Sequence, residues 1–307
     1  MALVATANGY IDLARHPSSM ANPGRMKHIN NQRLLYKFYK PDTIIALENQ
    51  TLAFTPPKWF NDPFEFLPRV IRDQESEVLL RKTGVITKKQ AEKLRRASQI
   101  HYTKSEFNTF LKEKQPVIES KTPNEFETFA RDISGQLLDM ISESHGVLCL
   151  SKSWKNPLMW GHYALDFQGF CVGYLLPYES RGLSRVDVTY SDSRYPLKES
   201  MILKNNIPRS VLNGITARKA LHWKYEEEVR YIVELRHPGL SPNKDKTQFY
   251  LRHEPVMVKE IIWGMRSSHQ VKSKLVELIR QCYTHADVFE TIPDMDAFDI
   301  CRSAVLP

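Results

Sequence analysis

Apolar residues recur along this chain with two periods. Short β-type runs are Leu34–Tyr39, Thr51–Thr55 (stopped by Pro56-Pro57), Val147–Ser151, Gly169–Tyr174, Glu228–Val233 and Glu260–Gly264. Val186–Tyr190 alternates apolar and polar, as a half-buried strand does. Helical spacing appears at Val271, Leu275, Leu278 and Ile279. Pro41, at a first-turn position, predicts a short helix burying Ile44, Ile45 and Leu47. Residues 73–145 read differently, as charged helix formers with apolar positions at helical intervals. These are Val78, Leu79 and Leu80, then Phe107, Phe110 and Leu111, then Phe126, Phe129, Ile133, Leu137, Leu138 and Ile141. Thr87–Gln90 and Thr122-Pro123 resemble helix starts. The pattern predicts an α+β protein: a compact β-rich core with an amphipathic helical insertion at about 73–145. Residues 1–30 read as a loose leader and 31–307 as a single domain.

Composition narrows the class more than the function. With 307 residues, 42% hydrophobic and 25% charged, the chain resembles an ordinary globular protein, which excludes collagen-like and wholly disordered readings. Lys+Arg 43 against Asp+Glu 35 leaves +8, a balance that favours polyanionic partners. The basic run Lys88-Lys89 to Arg95-Arg96 reads as a solvated helix face. No run approaches the roughly 18–20 apolar residues of a membrane span, and the N-terminus has no secretory pattern. A cytoplasmic protein is expected. Cys149, Cys171, Cys282 and Cys301 form no CxxC pair, which argues against a zinc site or disulfide framework, so no metal is expected.

Three constellations carry candidate chemistry. Trp59-Phe60-Asn61-Asp62-Pro63-Phe64-Glu65 contains ordinary Asn-Asp-Pro turn chemistry. Pro157–Ala164 places Trp160, His162 and Tyr163 on a short helix between two strands. In Trp223–Arg230, strand geometry would put Glu226, Glu228 and Arg230 on one face. That face is either an exposed ion-pair ladder or a polar site. GxGxxG, Walker-type, HExxH and GxSxG patterns are absent.

Taken in order, Leu35–Phe38, Leu52–Thr55 with Phe60–Phe64, Leu158–Ala164 with Gly169-Phe170, and Trp223–Arg230 resemble the bacterial family catalogued as domain of unknown function 2971. The resemblance runs from about residue 34 to 300 and is least specific over 73–145. More distantly, the layout is similar to ADP-ribosyltransferases, which combine an aromatic-basic first strand, a hydroxyl-bearing second strand, a mid-chain aromatic and a late catalytic Glu-x-Glu. Tyr36-Lys37, Thr55, Tyr163 and Glu226-x-Glu228 match in order. Lys37 stands where His or Arg is usual, and Pro56-Pro57 follows Thr55 where a Ser-Thr-Ser run is usual.

This second resemblance implies an ADP-ribosyltransferase fold using NAD as substrate, in a toxin or defence effector that modifies a nucleic acid or protein. Glu228 would stabilise the oxocarbenium-like transition state, and Glu226 would serve as general base. Tyr36 or Tyr163 would stack on nicotinamide, Lys37 would meet the pyrophosphate, and Arg230 would keep a glutamate ionised. Thr55, Asn61, Asp62, Trp160 and His162 complete the candidate cofactor-binding set. The competing expectation is a non-catalytic module that binds a polyanion or nucleic acid on the same scaffold.

Overall fold

The computed structural model describes residues 10–11, 33–76, 123–178, 182–204 and 206–306. Most of the leader, the apolar positions between Val78 and Leu111, and the basic run Lys88–Arg96 lie outside the described residues. The protein mixes helix with a large, mostly antiparallel sheet. The chain packs as two compact units. The first comprises residues 1–55, 146–188 and 222–307, and the second 56–145 and 189–221.

The first unit is built on eight strands. From one edge they run Ile300–Ala304, Asp287–Pro293, Val258–Trp263, Phe170–Tyr174, Leu35–Tyr39, His145–Ser151, Glu228–Glu234 and Leu183–Asp187. Val258–Trp263 and Asp287–Pro293 pair in parallel. Between them in sequence lies the helix His269–Cys282, started by the Ser268 hydroxyl accepting from the Val271 amide. That helix fills one sheet face with Leu275, Leu278 and Ile279, packed with Leu35, Val172, Val229 and Tyr231. Full burial of such a side chain stabilises the fold by roughly 1.5–3 kcal/mol. The short helical stretch from Pro41 to Glu48 adds Ile44 and Leu47 to the same core, whereas Ile45, expected to be buried with them, is 51% exposed.

A second, small sheet pairs Phe249–His253 with Thr51–Phe54, Leu240–Pro242 and Tyr10–Ile11. His253, at its end, is fully buried. One ring nitrogen, Nδ1, lies 3.1 Å from the Glu254 carbonyl. The ring sits edge-on to Tyr174, centroids 5.4 Å apart. Burial pushes its pKa down to about 4.

The opposite face of the main sheet carries Tyr36, Phe38, Cys171 and Ile262. It is covered by the helix Pro157–Tyr163 through Met159 and Trp160.

In the second unit, the helix Pro123–Ser144 packs against the turn Pro57–Trp59 and the strand Arg69–Ile71. That strand pairs in parallel with Pro196–Lys198, and Arg72 Nε lies 3.1 Å from the buried Glu199 carboxylate.

Candidate active site

The two core faces sort the sequence candidates. Along a strand, neighbouring side chains leave on opposite sides. Leu35 and Tyr39 belong to the core beneath the long helix, whereas Tyr36 and Phe38 belong to the face under Pro157–Tyr163. Lys37 therefore lies on the face opposite Tyr36, and its Nζ donates to the Cys149 carbonyl at 3.2 Å. The pair Tyr36-Lys37, expected to act together, is split by strand alternation.

The same rule places Glu228 and Arg230 on the Tyr36 face, because Val229 and Tyr231 belong to the other core. The exposed ladder is not what forms: Glu228 and Arg230 are 3% and 0% exposed. Arg230 grips the carboxylate with two bonds, Nε to Oε1 at 2.8 Å and Nη2 to Oε2 at 3.0 Å. A buried charge pair of this kind needs such two-point geometry to offset its desolvation.

Glu226 departs from the predicted strand face. Leu221–Glu226 is a 3-10 turn, Glu227 takes a left-handed φ of 46°, and the strand begins only at Glu228. The kink nevertheless buries Glu226, which is 3% exposed, and its Oε1 accepts from the Tyr163 hydroxyl at 2.6 Å. Tyr163 ends the helix Pro157–Tyr163, whose start is fixed by Asn156. The Asn156 side chain accepts from the Leu158 amide at 2.9 Å and donates to the Tyr225 carbonyl at 3.0 Å. One asparagine thus caps the helix bearing Tyr163 and ties it to the turn bearing Glu226.

Beside this carboxylate lies a cluster of rings. The His162 centroid is 6.1 Å from Tyr225, 6.3 Å from Tyr163 and 6.4 Å from Trp223, and Trp223 and Tyr225 are 6.0 Å apart. His162 is exposed and the other three are half-buried. Trp160, proposed for the cofactor set, is different. It is fully buried, donates from Nε1 to the Trp154 carbonyl at 2.7 Å, and stacks on Phe167 at 5.6 Å. It is a core side chain.

A second carboxylate, not singled out in sequence, lies on the same sheet face. Glu260 accepts from the Tyr36 hydroxyl at 3.0 Å and is gripped by both terminal nitrogens of Arg302. Gly173 stands between Glu260 and Tyr36 in register. A Cβ there would lie 3.0 Å from the Tyr36 ring and 3.1 Å from the Glu260 Cβ, so any larger residue would press on both. Burial first, and then the Glu260 charge, push the Tyr36 phenol well above its ordinary pKa. The signal for this pair in the sequence is weak: an acid inside a largely apolar strand.

Thr55 joins the first unit through its backbone, exchanging two bonds with Val147 at 2.9 and 3.0 Å. Asn61 and Asp62 belong to the second unit. There Asp62 is buried and accepts from the Phe64 amide at 2.9 Å, which is the expected turn chemistry. Among the described residues no group of three or more His, Cys, Asp or Glu could hold a metal ion, and no helix is long and apolar enough to cross a membrane. Compared with known proteins, the chain matches no family model, no curated protein and no solved structure.

Chemically, the first unit offers two buried carboxylates in one segment. Glu228 is bound by the Arg230 guanidinium. Glu226 accepts from the Tyr163 hydroxyl, beside half-buried rings. Such a pair suits chemistry in which positive charge develops and a proton is removed nearby.

Proposed function

We propose that this chain is an NAD-dependent ADP-ribosyltransferase-like enzyme of the domain of unknown function 2971 type, working in the cytoplasm as a toxin or defence effector on a macromolecular acceptor. The observation that carries the reading is the burial of Glu226 and Glu228 at 3% exposure each, two residues apart, with the Tyr163 hydroxyl 2.6 Å from Glu226. In the reaction, the bond between the ribose anomeric carbon and the nicotinamide nitrogen breaks. Nicotinamide leaves as a neutral ring, taking the bonding electrons, and the ribose carries oxocarbenium-like charge. Fixed carboxylates excluded from water stabilise that charge by several kcal/mol. The acceptor nucleophile then bonds to the anomeric carbon and its proton passes to Glu226, while Arg230 keeps Glu228 ionised and Tyr163 orients Glu226. Lys37, on the far face, and Trp160, in the core, are left out of this assignment.

The test is release of nicotinamide from labelled NAD, with and without a nucleic-acid or protein acceptor. Wild type should release it, and Glu228→Gln and Glu226→Gln should each lose about 10²-fold or more. No release under any acceptor condition refutes the reading.

One observation favours the competing module. Both Glu228 oxygens are already engaged by Arg230, as in a purely structural ion pair. On that reading Glu228→Gln changes stability alone, and polyanion binding falls steeply with salt.

A further inference from the structure

We propose that His162, Trp223 and Tyr225 form a stacking platform for the bases of single-stranded nucleic acid, and that such a strand is the acceptor of the reaction above. The second half of this proposal rests on the transferase reading; the binding itself does not. Three observations support it. The rings gather at one place, with centroids 6.0 to 6.4 Å apart, and Tyr225 lies within 29° of parallel to His162. They also keep access to solvent, His162 being exposed and Trp223 and Tyr225 half-buried, in contrast to the sealed Trp160. The platform's charge is the third. His222, Trp223, Lys224 and Tyr225 interleave basic and aromatic residues, with His222 and Lys224 exposed.

Neither His222 nor Lys224 is drawn into an ion pair among the described residues. By contrast, Lys152 is paired with Asp187 at 2.6 Å and Lys155 with Asp299 at 2.9 Å. An unneutralised lysine and an exposed imidazole beside solvent-facing rings suit a backbone phosphate next to an unstacked base. Stacking on aromatics accepts any base, and the cations follow the backbone without reading sequence. A duplex keeps its bases stacked on one another and offers only phosphates.

The experiment is fluorescence anisotropy of short labelled oligothymidylate, oligouridylate and a duplex of equal length, without NAD. Both single strands should bind more tightly than the duplex. Trp223→Ala and His162→Ala should each weaken single-strand binding about tenfold or more, and Trp223→Phe should restore most of it. Lys224→Ala should weaken binding and flatten its salt dependence. His162 is exposed, so its truncation leaves the core intact, and circular dichroism of each variant checks the fold. Equal binding of duplex and single strands, or ring variants that bind like wild type, overturns the platform. Binding of polyglutamate in preference to the oligonucleotides also overturns it, in favour of an acidic polypeptide. If the rings prove necessary but no label passes from NAD to the strand, the platform stands and the transferase reading falls. If label passes while the ring variants bind normally, the reverse holds.

Discussion

His253 gives the sharpest quantitative forecast. Its imidazole is fully buried, and desolvation lowers its pKa from 6.5 to about 4 in the folded protein. In the unfolded chain the ring titrates near 6.5. Between those two values the unfolded state binds a proton that the folded state refuses. Stability is therefore complete above about pH 6.5 and falls as the solution is acidified, until the folded ring also protonates near pH 4. At 1.36 kcal/mol per pH unit, the integrated loss from this residue is about 3 kcal/mol. That is a large share of the 5–15 kcal/mol typical of a folded domain. The assay is urea denaturation at closely spaced pH values from 7.5 to 4.5. Wild type should lose up to about 1.4 kcal/mol per pH unit in the steepest part of that range. In His253→Asn, the side-chain amide keeps a donor for the Glu254 carbonyl but cannot titrate. That variant should start less stable, and its curve should lack the histidine's share of the slope. Carboxylates with lowered pKa, such as Asp73 and Asp299, remain in both proteins, so the difference between the curves isolates the ring. Parallel curves for wild type and variant would refute the reasoning.

Other perturbations read the carboxylate face. Arg230→Met leaves Glu228 buried without its partner and should cost about 3–5 kcal/mol. The double variant Arg230→Met with Glu228→Leu should recover most of that loss in the same denaturation assay. Gly173→Ala, with its Cβ 3.0 Å from the Tyr36 ring, should cost about 1–3 kcal/mol through overpacking, and Tyr absorbance at alkaline pH should show Tyr36 ionising more easily as its hydroxyl leaves Glu260. Tyr163→Phe removes the 2.6 Å bond to Glu226 and should slow nicotinamide release by about tenfold or more, with little change in melting temperature.

The β-rich core was legible because its strands announce themselves locally. Leu35–Tyr39, Phe170–Tyr174, Glu228–Glu234 and Val258–Trp263 form where short apolar runs predicted them. The helix His269–Cys282 follows its 3.6-residue spacing. Strand alternation correctly puts Glu228 and Arg230 on one face, but where a turn ends and how distant strands register are not written locally. The pattern puts Glu226 on the strand because nothing in the letters Glu-Glu-Glu marks the left-handed Glu227 that ends the preceding turn. The resemblance groups Lys37 with Tyr36 in one site, although adjacency within a strand separates side chains. The Glu260–Arg302 grip joins residues 42 positions apart and is set by the register of two strand pairs, which no local pattern encodes. The second unit likewise joins distant stretches, 56–145 and 189–221, through contacts such as the pairing of Val70 with Leu197.

The position of Leu35–Tyr39 within the sheet also bears on synthesis at the ribosome. Its two neighbours, His145–Ser151 and Phe170–Tyr174, emerge more than a hundred residues later. Until then a five-residue segment rich in tyrosine and phenylalanine has both hydrogen-bonding edges open, and long loops must close before it is sheltered. A nascent or truncated polypeptide ending before Tyr174 would therefore be sticky, and chaperone demand should be greatest during that interval of translation.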